Sequence, residues 1–278
     1  MEHKQTQLTN STDKKMFYTE FTIPRKNKTP RRIVAPSASL KAWQKRNLRD
    51  IEPTFTAMAR RHGLEDIFHG FVKGRNAVSG AEQHVGKNVL IMMDLSNFFD
   101  TIFEDMLPST LRDTIPNFDR CFHKDGYAAQ GFVTSPMLAN IAIIKPIYEI
   151  NQYLRSNVGE GNYSLVVYAD DISLGLIEED NYKLEAEIIE KITEVMENRK
   201  LSINKNKTRI KRAKFGAMRC LGVNIVPGGI QATRKTIRKL RSVNHLRKFD
   251  KSKHSVYRGL KTWSGCYFPK GYKSLFSL

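Results

Sequence analysis

The 278-residue chain reads as an α+β domain followed by a small helical domain beginning near residue 230, and three observations carry that reading. Strand-like and helix-like segments alternate without a regular βαβ beat. The apolar run Val89 to Met93 has the pattern of a strand buried on both faces. The charge is divided: residues 1–200 hold 26 basic and 27 acidic side chains, whereas residues 201–278 hold 20 basic and one acidic, Asp250. The whole formal excess of +18 therefore sits in the last 78 residues. That segment also carries Phe, Tyr, Trp, Leu and Ile, so it is expected to fold and to bind a polyanion.

With 40% hydrophobic and 10% aromatic residues the chain can build a sizeable core, which excludes disorder as its main theme. No apolar run approaches the roughly 18 residues of a membrane span. Neither a transmembrane helix nor a membrane partner is expected. The opening MEHKQTQLTNSTDKK is polar and reads as a flexible lead-in over 1–16, with no apolar core of a secretory signal. Cys121, Cys220 and Cys266 lie too far apart for a metal knuckle, and their odd number argues against a disulfide framework. The cytoplasm is the expected compartment.

Taken in order, Phe17–Ile23 alternates as a strand, Pro24–Arg32 is a basic turn, and Ile33-Val34 resumes the strand. Ser37–Arg61 has helical spacing through Leu40, Trp43, Leu48 and Ile51, with Pro53 as a break or kink. A short helix follows Arg75. The strand Asn88–Met93 ends abruptly on Asp94. Thr134–Asn157 is helical, with Thr134-Ser135-Pro136 as its start, because Pro suits the first turn, and Pro146 as a second possible kink. Tyr163–Leu176 reads as two strands folded about Ala169-Asp170-Asp171. Asp180–Lys200 is the clearest helix, striped by Leu184, Ile188, Ile192 and Val195/Met196. Arg219–Val226 and Ile230-Gln231 flank a Pro227-Gly228-Gly229 turn. Two basic helices, Thr233–Phe249 and Ser255–Trp263, close the chain. The first places Arg234, Arg238 and Arg241 on one face, with Ile237 and Leu240 free to pack inward.

A sheet that pairs the strand ending in Asp94 with the Asp170-Asp171 hairpin would bring three carboxylates together. Two Mg²⁺ ions would resolve their repulsion, because oxygen ligands suit a hard cation. Taken alone, Asp170-Asp171 is equally a turn of ordinary composition. The surroundings favour the metal site.

Tyr168-Ala169-Asp170-Asp171 resembles the YxDD hairpin of reverse transcriptases, in the form common among bacterial retron, group II intron and defence-associated enzymes. Asp94 through Phe99 (DLSNFF) resembles the first catalytic motif, and Gln130 through Pro136 (QGFVTSP) the element that opens the palm helix. Arg31-Arg32-Ile33-Val34-Ala35-Pro36 is similar to the fingers segment, and His69-Gly70-Phe71 with Gly74-Arg75 to the GFxxGR stretch. Leu201–Thr208 and Cys220-Leu221-Gly222 are similar to the pre-thumb and primer-grip motifs. The resemblance runs from about residue 25 to 245, and the order and spacing of the motifs make it specific. Two positions depart from the retron pattern: Gly80 stands where those enzymes carry Asn in an Asn-Ala-x-x-His element ending here at His84, and Arg219-Cys220-Leu221-Gly222 replaces their Val-Thr-Gly signature.

The resemblance implies a right-hand polymerase: mainly fingers with the start of the palm over 17–93, palm with primer grip over 94–229, and a basic helical thumb over 230–278. It implies that Asp94, Asp170 and the backbone carbonyl of Leu95 ligate two Mg²⁺ ions, with Mn²⁺ able to substitute, and that Asp171 completes the acidic site. Lys207 corresponds to a lysine that protonates pyrophosphate, with Lys205 a near competitor. Phe99 corresponds to the bulky residue beneath the incoming sugar, where a ring excludes a 2′-OH; the alternative for either Phe98 or Phe99 is a place in the core. Arg31, supported by Lys26, Lys28 or Arg32, would grip the triphosphate in a guanidinium fork, or form part of a solvated basic turn. Gln130 and Gly131 would border the nascent base pair. Arg234, Arg238, Arg241, Leu221 and Gly222 would hold nucleic acid by phosphate and shape. Trp263 is either a stacking residue or, on packing grounds, a core residue of the thumb.

The implied function is RNA-directed DNA polymerisation from dNTPs on an RNA template, through an RNA·DNA duplex. The retron resemblance further implies a structured non-coding RNA, a role in antiphage defence and an effector or accessory protein. Alternatives are a non-retron defence-associated or diversity-generating reverse transcriptase and, from a different class, an inactive RNA-binding scaffold. A chain of this length is expected to leave no room for a nuclease domain beyond the thumb.

Overall fold

The computed structural model describes residues 17–25 and 28–265, so the lead-in, Lys26 and Cys266 lie outside the described residues. It opens with an antiparallel hairpin of β1 (Tyr18–Arg25) and β2 (Lys28–Pro36). Most of the expected basic turn is strand, with Arg31 opposite Ile23 and Arg32 opposite Thr22. The β-branched residues Thr22, Ile23, Ile33 and Val34 outweigh the turn signals of Pro24 and Pro30. Helix α1 (Ala38–Arg61) follows, capped by the Ser37 hydroxyl, which accepts from the Leu40 N–H at 3.2 Å. The expected break at Pro53 does not occur. The hydrogen bond lost there is offset by one buried face through Leu40, Gln44, Ile51, Phe55 and Ala59. Helix α2 (Ala77–Glu82) starts at Asn76, whose side chain accepts from the backbone of Val78 and Ser79.

The central sheet contains β3 (Val89–Asp94), β4 (Tyr163–Tyr168), β5 (Asp171–Leu176) and β6 (Arg209–Arg212), antiparallel in the order β4-β5-β3-β6. Between β3 and β4 come the short α3 (Ser109–Thr114) and the long α4 (Ser135–Asn157); α5 (Tyr182–Glu197) follows β5. Pro136 lies in the first turn of α4, and Pro146 is accommodated without interrupting it.

Side-chain alternation gives this sheet two different faces. Val89, Ile91 and Met93 of β3, with Leu165 and Val167 of β4 and Ile172, Leu174 and Leu176 of β5, join the main core beneath α4 and α5. The opposite face carries Leu90 and Met92, which meet Val78 and Ala81 of α2 and a three-stranded sheet of β7 (Met218–Cys220), β8 (Val223–Val226) and β9 (Gly229–Ala232). Burial on both faces accounts for the unbroken apolar run of β3. The expected single run Arg219–Val226 is two strands, because Leu221 (φ 45°) and Gly222 (φ 86°) turn the chain between β7 and β8.

The helical end comprises α6 (Arg234–Leu246) and α7 (Lys253–Gly265), and starts after β9 rather than at residue 230. Leu240, Val243, Tyr257 and Leu260 join the two helices. Trp263 is half-buried against the β7–β9 layer.

His84 ties the second face of the sheet together. Its ring is fully buried, with Nδ1 2.6 Å from the Ser164 hydroxyl on β4 and Nε2 2.8 Å from the Ser173 hydroxyl on β5. A neutral imidazole fits, donating from one nitrogen and accepting at the other. Burial pushes its pKa down to about 3, with the nearby His69 and Lys87 adding to the effect. An unfolded histidine titrates near 6.5. The unfolded chain therefore takes a proton that the folded one refuses, and stability is lost as pH falls from about 6.5 towards about 3. In urea titrations between pH 4 and 8, His84→Gln should lose roughly 1–2 kcal/mol at pH 8 while flattening the acid slope by up to about 1.4 kcal/mol per pH unit. Parallel slopes for the two proteins would show that His84 is not held neutral.

Candidate active site

The register of β3 and β5 places Asp94 directly opposite Asp171. Asp94 shares its face of β3 with Met92, and Asp171 shares its face of β5 with Ser173, so both carboxylates stand on the side away from α4 and α5. The sheet thus sets Asp94 and Asp171 side by side at the end where the sequence leads one to expect three carboxylates. Asp170 occupies the two-residue turn between β4 and β5, beside Ala169 at φ 57°. A non-glycine residue there is strained, and the surroundings hold it. His69 and Gly70 donate backbone hydrogen bonds to the Val167 carbonyl at 2.8 and 3.3 Å. A Cβ on Gly70 would lie 2.3 Å from the Ala169 nitrogen, so only glycine lets this strand edge lie against the turn.

Leu95 is buried, and its N–H donates to the Asp170 carbonyl at 2.8 Å, which locks the end of β3 to the hairpin turn. On the other side the Asn204 N–H donates to the Asp94 carbonyl at 2.7 Å and starts the tight turn Lys205–Lys207. This turn delivers Lys207 onto Asp94, with Nζ donating to both carboxylate oxygens at 2.7 Å. Lys205 makes no such contact among the described residues.

The acids are crowded. Burial, then Asp170 and then Asp94 push the carboxyl of Asp171 up to about 6. Asp170 is raised by burial and by Asp94, while Lys207 and Arg31 act in the opposite sense. Such a cluster calls for cationic charge beyond one lysine. Among the described residues no three His, Cys, Asp or Glu side chains converge closely enough to hold a metal ion by themselves. The carboxylates are oxygen donors, the kind that a hard divalent cation takes. The donor set fits the expected hard cation.

The remaining candidates separate into groups. Arg31 is exposed, makes no ion pair among the described residues, and acts electrostatically on Asp170. Arg32 points to the other face of β2, where it donates to Glu20 at 2.5 and 2.8 Å and lies over the Tyr127 ring. This engagement corrects its expected place beside Arg31. The side chain of Lys28 is not described. Phe98 is core at 4% exposure, whereas Phe99 is half-buried, its ring 5.6 Å from Phe98 and 6.2 Å from Phe71. Gln130 accepts the Val34 N–H at 2.9 Å through its carbonyl. A Cβ on Gly131 would sit 2.3 Å from the Val34 carbonyl oxygen, so the close approach that requires this glycine is to strand β2. Leu221 packs over Gly80 in the turn joining β7 and β8; a side chain at residue 80 would meet Leu221, Val166 and His69. A larger residue at this departure from the retron pattern would require those side chains to give by a few tenths of an ångström. Arg234, Arg238 and Arg241 are exposed on α6, apart from the carboxylates in the fold.

Sequence reasoning missed two buried amides that set the site's shape. Gln44 on α1 accepts the Val133 N–H at 2.9 Å and donates to the Arg120 carbonyl at 3.1 Å. Asn140 on α4 donates to the Gly70 carbonyl at 2.9 Å. Each is a polar residue on the buried face of an amphipathic helix, and that was the available signal.

An antiparallel sheet on two helices, with paired acids at a strand end and a tight acidic hairpin beside it, defines a polymerase palm. The sequence profile described as reverse transcriptase (RNA-dependent DNA polymerase) matches residues 23–225, and the chain belongs to that family. It is 28% identical over 207 residues to the retron Se72 reverse transcriptase of Salmonella heidelberg, covering 72% of this chain and 52% of the relative. It is 25% identical over 232 residues to the retron Mx65 reverse transcriptase of Myxococcus xanthus, covering 75% and 51%. Against the retron Mx162 enzyme of the same organism the figures are 24% over 272 residues, 85% and 54%. The chain spans about half the length of these curated relatives. Among solved structures it resembles telomerase from Candida tropicalis in complex with a TWJ fragment of telomeric RNA, at a TM-score of 0.54 and 12% identity, over 84% of this chain and 49% of that one. Apo telomerase from the same organism, truncated from its C-terminal domain, gives 0.52 and 12%, over 81% and 56%. At this identity the likeness speaks to the fold, which is the α+β palm and fingers that the sequence predicts.

The crowded acids carry a stability consequence. Because the Asp171 carboxyl is raised in the folded state, the protein without divalent cation loses stability as pH rises from about 4 through about 6. Asp171→Asn should therefore be more stable than wild type at pH 8 in EDTA, by about 1 kcal/mol after allowance for solvent screening, read as a higher melting temperature. At pH 4 the two proteins should melt together; a variant that is destabilised at pH 8 would contradict this electrostatic account.

Proposed function

We propose that the protein is an RNA-directed DNA polymerase of the retron type, which copies part of a structured non-coding RNA into DNA. The observation that carries this reading is the Asp94–Asp171 cross-strand pair beside Asp170, in a chain of the reverse transcriptase family. In the proposed reaction the primer hydroxyl oxygen forms a bond to the α-phosphorus of a dNTP, and the bond from that phosphorus to the pyrophosphate oxygen breaks. Asp94, Asp170 and the Leu95 carbonyl would hold two Mg²⁺ ions, or Mn²⁺ in their place, with Asp171 completing the acidic site. Such ions, when bound, supply the positive charge that activates the attacking hydroxyl and stabilises the leaving pyrophosphate.

The chain's own residues take the remaining roles. Lys207 stands on Asp94 as an ammonium and in this reading passes a proton to the departing pyrophosphate. Arg31 grips the triphosphate, supported by its exposure and its electrostatic reach to Asp170. Phe99 lies beneath the sugar and excludes a 2′-OH, supported by its partly exposed ring beside a fully core Phe98. Gln130 and Gly131 border the nascent pair from the fingers side. Leu221 and Gly222, at the β7–β8 turn, support the primer strand. Arg234, Arg238 and Arg241 follow duplex phosphates, with Leu240 and Val243 anchoring the other side of the helix. An effector protein and a role in antiphage defence complete the retron reading, which rests on likeness to the retron enzymes.

Primer extension on poly(rA)·oligo(dT) with dTTP and Mg²⁺ tests the activity. Incorporation is expected in the wild type, and Asp94→Ala or Asp170→Ala should reduce it by roughly 10³-fold or more. Equal incorporation by the variants would sink the polymerase reading. Sequencing the nucleic acid that copurifies tests the subtype: one structured RNA with DNA copied from part of it is expected, and a broad mixture of cellular RNA would reject a dedicated template. In this reading the α6 arginines contact phosphates, so Arg238→Ala should weaken duplex binding and lower the slope of log Kd against log salt by about 0.7–0.9.

A further inference from the structure

We propose that Phe71 is a positioning residue for sugar discrimination, whose ring holds the ring of Phe99 in place from the solvent side. The inference rests on the reading of Phe99 as the sugar gate.

Three observations converge on Phe71. Its φ is 61°, in the left-handed region, where a bulky residue is a genuine outlier and glycine or asparagine is the ordinary choice. Such a conformation persists where the surroundings over-determine it. Here they do: on the N-terminal side Gly70 is fixed through both its N–H, given to Val167, and its carbonyl, which accepts from the buried Asn140. On the C-terminal side Arg75 folds back to donate to the carbonyls of Phe68 and Glu65 and to the carboxylate of Asp66. The chain at Phe71 is held in one conformation against the Asp170 hairpin.

Burial does not account for this ring, because Phe71 remains 44% exposed. Its aromatic neighbour is Phe99, with ring centroids 6.2 Å apart and planes tilted by 51°. Phe99 is itself 5.6 Å from the core ring of Phe98. Phe99 thus has two aromatic neighbours, the core ring of Phe98 and the partly exposed ring of Phe71. A gate rejects a 2′-OH only while its ring stays where the hydroxyl would go, and a partly exposed Phe with one flank open can rotate to another staggered rotamer. Phe71 closes that flank, in a tilted arrangement favourable for aromatic pairs.

The test is kcat/KM for dTTP and for UTP on poly(rA)·oligo(dT), measured for wild type, Phe71→Gly, Phe71→Tyr and Phe99→Ala. Glycine adopts the left-handed conformation freely, so Phe71→Gly removes the ring while keeping the backbone; a melting temperature close to wild type checks this. Phe99→Ala should lower the dTTP:UTP ratio by on the order of 100-fold. Phe71→Gly should lower it by roughly 3- to 10-fold, the scale of one lost aromatic contact, through faster UTP use, and Phe71→Tyr should restore it. A merely structural role would slow both nucleotides together and leave the ratio alone. If Phe99→Ala loses selectivity and Phe71→Gly does not, the role given to Phe71 is overturned while the gate stands. If Phe99→Ala keeps wild-type selectivity, the gate reading fails and this inference with it.

Discussion

The pairing of Met93 with Ile172 and of Asp94 with Asp171 is the constraint on which the rest of the structure depends. Side chains alternate along a strand, so a slip of one residue between β3 and β5 would exchange their faces. It would drive carboxylates into the core beneath α4 and turn Met93 and Ile172 to the face that carries the acids. The many buried apolar groups on one face forbid this, and the same apolar packing that stabilises the sheet therefore also aligns its acids. Hydrophobic burial, which is not directional, becomes a positioning device through the strand's period of two.

The open end of the sheet works against stability, and the rest of the molecule compensates. Asp171 and Asp170 are both held above the usual carboxylate range, because burial and mutual repulsion disfavour their charge. Ala169 adds backbone strain in the turn between β4 and β5. Against these costs stand directional bonds from four separate segments: Gly70 and His69 on the outer edge, Leu95 on the inner, Asn204 behind Asp94, and His84 beneath both strands of the hairpin. Each is a hydrogen bond between elements distant in sequence. These bonds tie the end of the sheet to the segments around it.

Charge is divided along the chain, and the fold commits the two parts differently. The near-neutral first 200 residues spend their cations locally, Arg32 on Glu20, Arg75 on Asp66 and Arg112 on Glu104. In the basic segment Lys207, Arg212 and Lys214 are likewise committed, to Asp94, to Glu185 and to Asp180. The exposed arginines of α6 face no such acids within their own helix, which carries none. The excess first visible as a bare sum is thus concentrated on a helical surface, where it suits a polyanion, while the cations nearer the carboxylates are part of the fold.

Much of this was legible in the sequence. The unbroken run from Val89 to Met93 gave a two-sided buried strand, Asp170-Asp171 a hairpin turn, and Leu184 through Met196 an amphipathic helix, because each depends on contacts between near neighbours or on periodicity. The pairing of the strand that ends on Asp94 with the hairpin that carries Asp171 was an expectation of the sequence that the register bears out. Elsewhere the sequence misled: Pro24–Arg32 reads as a turn and is largely exposed strand, where β-branched residues outweigh the turn signals of the prolines, and Pro53, which reads as a break or kink, sits within α1. What only the tertiary structure decided is which way individual side chains face. Arg31 and Arg32 are adjacent and chemically alike, yet the strand sends one towards Asp170 and the other to Glu20. His84, Gln44, Asn140 and Phe71 acquire their roles from partners far away in the chain, and no local pattern encodes a contact that the fold alone creates.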